Sequence, residues 1–136
     1  MRHVPAAEVD SETAQSAGMA RFAAISERRV GSAKLWMGQT HVQPGQRSAD
    51  HHHGESETAI FVVSGTPEFV FLDGDEERRI KARPGDYVYV PPWTPHREEN
   101  NDPDVEAVVV IARSTQEAIV VNLSSLRDSR SWSRPS

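Results

Sequence analysis

The 136-residue sequence contains no cysteine, which excludes disulfides, thiolate nucleophiles and cysteine-based zinc sites. Any bound metal must be held by nitrogen and oxygen. No run approaches the ~20 apolar residues that span a bilayer, and the opening MRHVPAAEVDSE lacks the apolar core of a secretory signal. A soluble, cytoplasmic protein without a membrane partner is expected. Positive charge is also scarce, with 15 Lys and Arg against 20 Asp and Glu for a formal net charge of -5. The basic residues form no stripe, so a nucleic-acid partner is not expected. The length suits one domain with a single core.

What is present is a series of short strand-like runs punctuated by turn residues. RFAAIS and KLWMGQTHV precede Pro44-Gly45, TAIFVV runs into Ser64-Gly65, and PEFVFL ends at Asp73-Gly74-Asp75. ERRIKA leads to Pro84-Gly85, DYVYV stops at Pro91-Pro92, and VEAVVVIA and EAIVVNL follow. Strands of this length, with turns at about ten-residue spacing, predict an antiparallel sandwich or barrel rather than alternating βα units. Residues 1–29 read as an N-terminal arm, 30–122 as the barrel, and 123–136, rich in Ser and Arg, as a polar, flexible tail.

The stretch HHHGESETAIFVVSG, residues 51 to 65, carries the chemistry. Residues two apart on a strand share a face, so His51 and His53 point together while His52 points away. Glu57 keeps that parity if the strand continues, and would add a carboxylate oxygen. Imidazole with carboxylate suits Fe(II), Mn(II), Zn(II) or Ni(II). Three histidines in a solvated turn are the plainer reading, which a second stretch, PGDYVYVPPWTPHREEN at 84 to 100, disfavours.

Together the two stretches resemble the paired signature of the cupin superfamily. In the first motif Gly45, His51, His53, Glu57 and Gly65 take the family's positions; in the second Gly85, Pro91, His96 and Asn100 fall in register, with Trp93 where glycine is usual. The resemblance covers roughly residues 30 to 122. It implies an all-β fold, an antiparallel jelly-roll β-barrel in a single domain. It also implies one divalent metal ion per chain, held by His51, His53, Glu57 and His96. Iron is the favoured ion, with Zn, Mn or Ni as alternatives. One departure matters: seven residues rather than six separate Glu57 from Gly65. Either a β-bulge absorbs the extra residue and Glu57 faces inward, or Thr58 does and the site holds three histidines. Glu57 is favoured as a ligand.

His41 or Tyr89 is a candidate acid or base, and Trp36, Phe61 and Trp93 are candidate walls of a substrate pocket. Glu98 and Glu99 read as solvated charges. A ferrous site with open positions points to a dioxygenase-like reaction on a small organic molecule. The alternatives are a non-redox Zn or Mn enzyme (lyase, isomerase, cyclase or decarboxylase) and a non-catalytic small-molecule-binding module. The family resemblance further implies a homodimer, with residues 1–29 pairing onto a second subunit.

Overall fold

The computed structural model describes residues 1–11, 13, 15 and 18–128. Its elements run in chain order β1 (Met19–Ile25), a one-turn helix α1 (Glu27–Val30), β2 (Trp36–Val42), β3 (His51–His52) and β4 (Thr58–Ser64). There follow β5 (Glu68–Asp73), β6 (Glu76–Lys81), β7 (Tyr87–Val90), β8 (His96–Glu99), β9 (Ala107–Arg113) and β10 (Val121–Asn122). Two five-stranded antiparallel sheets result, ordered β1-β2-β9-β4-β7 and β10-β3-β8-β5-β6. This is the expected all-β jelly-roll.

Alternation decides which side chains fill the space between the sheets. In β4, Thr58, Ile60 and Val62 are buried while Ala59 and Val63 are exposed. In β5, Phe69 points inward, and the core it forms with Ile60, Val62, Ala82, Val90 and Val109 joins the two sheets. The opposite face of β5 is also covered, because Val70 and Leu72 pack against Leu126.

Three boundaries differ from expectation. Met19–Ile25, assigned to the arm, pairs along its length with β2 of its own chain, from Met19 with Val42 to Ile25 with Met37. The polar tail begins packed rather than loose, since Leu123 and Leu126 are buried among otherwise polar neighbours. The rest of the tail, 129–136, lies outside the described residues. EAIVVNL contributes only the two-residue β10, which pairs Val121 with His52 and Asn122 with His51. A strand that no run of apolar residues announced, β8 (HREE), crosses the centre of its sheet.

The extra residue between Glu57 and Gly65 is accommodated by a bulge in the pairing of β4 with β9, between Val62 and Ser64. It lies too far along the strand to reverse the parity of Glu57. Beyond it, Gly65 adopts φ 77°, and a Cβ there would stand 2.7 Å from the Ala107 Cα. Only glycine passes so close to a neighbouring backbone in that conformation.

Candidate metal centre

His51 and His96 are register partners on adjacent strands β3 and β8, so their side chains meet on one face. His53 follows two residues after His51, and the three rings pack at centroid separations of 4.5 to 5.0 Å. Their available ligand nitrogens all lie within 4.8 Å of one another, the arrangement expected of a trio that can hold a metal ion.

Each ring is oriented by its other nitrogen. His51 Nδ1 lies 2.6 Å from the Ala49 carbonyl oxygen, His53 Nδ1 2.8 Å from that of Ile119, and His96 Nδ1 2.9 Å from that of Thr94. A carbonyl only accepts, so each Nδ1 carries a proton, and in the neutral form of the ring Nε2 is then the atom with the lone pair. The His96 Nε2 is buried and has no hydrogen-bond partner among the described residues. Such an atom costs free energy unless something fills the gap, and a cation does so. Burial, reinforced by His51 and by His96 or His52, pushes His53 and His96 down to about 4, so both rings are neutral at pH 7. The donor chemistry therefore fits a divalent metal ion.

Ion pairs clamp the strands that carry His51 and His96 from behind. Arg97, next to His96, reaches Asp50, next to His51, at 3.2 Å, and Glu99 at 2.6 Å. Glu99 also accepts from Arg79 at 2.7 Å and Asn101 at 2.9 Å. Glu99 is thus buried and paired rather than solvated, because Arg79, Arg97 and Asn101 all donate to it.

The structure does not bring Glu57 to the trio. Its backbone N–H donates to Ser114 Oγ at 2.9 Å, and its exposed carboxylate accepts from the Tyr89 hydroxyl at 2.7 Å. Thr58, buried, takes the inward position instead. The carboxylate expected from the first motif is therefore not part of the cluster, which consists of His51, His53 and His96.

The other candidates also lie elsewhere. Tyr89 is 57% exposed, on the outer side of β7, and Phe61 packs outside against Tyr87 with ring centroids 4.9 Å apart. His41 alternates with the buried Thr40 and Val42 and so faces outward, where it bonds Glu106 at 3.1 Å and Gln39 at 3.2 Å. Trp36 is buried under the Arg113 guanidinium, 3.9 Å from its ring centroid. Trp93 lies over His52, the histidine that points away from the trio, at 5.5 Å. It holds φ 65°, the left-handed conformation of the glycine usual there, and its N–H donates to the Gly54 carbonyl at 2.8 Å.

Two features escaped the sequence reading. Glu98 pairs with the core residue Phe69 as His96 pairs with Phe71, which puts Glu98 on the inner face two residues from His96. Its charge is felt at His53, where it favours the protonated ring. Counting parity from His96 would have found it. The second is a cavity against His96, lined by Phe69, Phe71, Ile80, Val88 and Val90.

Comparison with known proteins agrees with this architecture. The family described as Cupin domain matches residues 38–112, and the chain belongs to it. No curated protein matches the chain. Among solved structures, the S161A mutant of Bacillus subtilis oxalate decarboxylase superposes with a TM-score of 0.70 at 20% identity, covering 82% of this chain and 30% of that one. A structure concerned with the Mn(II) centres of the same decarboxylase gives 0.69 at 21% identity, over 80% of this chain and 29% of the other. Recombinant oxalate oxidase in complex with glycolate gives 0.68 at 18%, over 83% and 59%. The chain thus spans less than a third of the decarboxylase and under two thirds of the oxidase, and the likeness is one of fold. No helix among the described residues is long and apolar enough to cross a membrane.

Proposed function

We propose that the chain is a mononuclear, divalent-metal-dependent enzyme that acts on a small organic molecule, with His51, His53 and His96 as the protein ligands. The observation that carries this reading is the convergence of three carbonyl-oriented imidazoles on a point where the buried His96 Nε2 has no other partner. Mn(II) is the favoured ion, given the Mn(II) centres of the structurally similar decarboxylase. Fe(II), which would make the reaction dioxygenase-like, is the second reading, favoured by the nitrogen-only donor set. When bound, the ion supplies Lewis-acid polarisation of a coordinated oxygen and, as Mn or Fe, access to one-electron chemistry.

The chain's own residues have separable tasks. Three neutral imidazoles leave the ion's double positive charge uncompensated, so the site favours an anionic oxygen donor from the substrate. Thr58 is buried and an apolar core fills the space between the two sheets, so the interior excludes bulk water. Glu98, on the same face as His96, holds or moves the proton that the reaction displaces.

Pairing between barrels is part of the proposal. Met37, Val63 and Tyr87 stand exposed on the outer face of the sheet that contains β1, and a second copy would cover them. Gel filtration would then give about twice the 15.1 kDa of one chain.

Elemental analysis of untagged protein, purified without chelator, tests the central reading. One equivalent of Mn or Fe per chain is expected, with loss in His96→Ala and retention in Glu98→Gln, whose turnover falls. Zinc at one equivalent would move the reading to non-redox chemistry. Failure to bind any of these ions, even on reconstitution, would overturn it.

A further inference from the structure

The cavity against His96 encloses about 330 Å³, within the range of small-molecule sites. Its walls are mostly apolar. Phe69 and Phe71 reach it from β5, Val88 and Val90 from β7, and His96 closes the end nearest the trio. Ile80 is the informative member. It is the one apolar residue of β6, a strand of exposed charged side chains, and register places it opposite Phe69 on the inner face. It remains 39% exposed, as a side chain would at the open margin of a pocket.

Polar groups in the lining are few. Besides His96 they are the hydroxyl-bearing Thr94 and Tyr89, the latter at the exposed rim and bonded to Glu57, and one charged member, Asp73, a carboxylate at the exposed rim that is tied to Arg78 at 2.8 Å. No lysine or arginine belongs to the wall. A dicarboxylate seated here would place its second charge among phenyl and valine side chains, with Arg78, opposite Phe71, already paired to Asp73 and Glu76. A hydrocarbon group gains there what the dicarboxylate loses.

We infer that this cavity is the substrate pocket, and that it takes an aryl or branched-alkyl body carrying a single oxygen-bearing head. The body seats between Phe69, Phe71, Ile80 and Val88, and the head lies at His96. Placement of the head rests on the metal-dependent reading; placement of the body does not. The chain therefore shares the fold of the oxalate enzymes but not a wall suited to a small dianion.

The two parts can be tested apart. In metal-free protein, a benzyl alcohol titration followed by amide NMR should shift Phe69, Phe71, Ile80 and Val88, and Ile80→Asp should abolish those shifts. Ile80 is partly exposed on an edge strand, so its replacement leaves the core intact; the amide spectrum itself reports folding. In protein loaded with Mn(II), calorimetry should show benzohydroxamate binding about tenfold or more tighter than acetohydroxamate, which has the same head on a methyl group. Ile80→Asp should bring that ratio towards one. Equal affinities in the native chain, or benzyl alcohol shifts confined to other surfaces, would overturn the inference. If Mn(II) is not retained while benzyl alcohol shifts the four amides, the metal reading fails and the pocket stands.

Discussion

Replacing Glu99 by Gln tests whether the ion pairs behind the site stabilise the fold. The side chain is 5% exposed and receives Arg79 at 2.7 Å and Arg97 at 2.6 Å. Burial alone would raise its pKa, but hydrogen bonds from Arg79, Asn101 and Arg97 outweigh it and hold the carboxyl at about 2 instead of its ordinary 4.5. At 1.36 kcal/mol for each tenfold change, that difference corresponds to about 3 kcal/mol of folding free energy. The sign follows from the depressed value. The contribution is complete above the unfolded pKa near 4.5 and disappears as pH falls through about 2. Urea unfolding of native and Glu99→Gln protein, both metal-free, at pH 7 and pH 2 gives the comparison. Titration of the histidines is common to both proteins and cancels. The gap should be about 3 kcal/mol at pH 7 and close as Glu99 protonates, because a neutral carboxyl and a carboxamide then present nearly the same group to Arg79 and Arg97. A gap that does not change with pH would refute the reasoning, since it would assign the stabilisation to packing.

Glu57→Ala should retain full metal content and lose at most about 1 kcal/mol, as expected for an exposed contact with Tyr89, whereas His53→Ala should lose the metal; elemental analysis of the pair decides between three and four protein ligands. Trp93→Gly relieves about 1 kcal/mol of left-handed strain but adds backbone freedom to the unfolded chain and removes the ring from His52. A net loss of about 1 kcal/mol in urea unfolding is expected, and a gain would show that the ring contact contributes nothing. Leu126→Ala should destabilise by about 2 to 3 kcal/mol through the space it opens beside Val70 and Leu72; a change below about 0.5 kcal/mol would mean that the start of the C-terminal segment is not packed as described.

Strand existence was legible where short β-branched and aromatic runs end at turn residues, as in TAIFVV and PEFVFL. It was illegible in HREE, where the inner face carries His96 and Glu98 and the outer face Arg97 and Glu99. Hydrophobicity carries no signal when one face holds a histidine and a glutamate and the other an ion-pair network. The spacing of the two histidine motifs did reveal the trio, since parity alone puts His51 with His53 and the second motif supplies His96. What parity could not supply was the absolute facing of neighbouring strands. Tyr87 and Tyr89 share a face, as do Val88 and Val90, and only pairing with Ile60 and Thr58 determines that the valines look inward.

The same ambiguity governs the carboxylates. Glu57 and Glu98 each lie a few residues from a ligand histidine, and each would be inward in one of two registers. For Glu57 the register is set by the Ser114 contacts and by Thr58 lying opposite Val90. The bulge after Val62 comes too late to reverse it. Glu98 has no such interruption between itself and His96, so its inner position follows from that of the ligand. The negative charge expected from the first motif is therefore supplied to the interior by the second, from a strand whose other face anchors it through Glu99 and Arg97. On the proposed reading, a carboxylate placed there would act on a proton near the trio without occupying a ligand position, and the ion's charge would be left for the substrate.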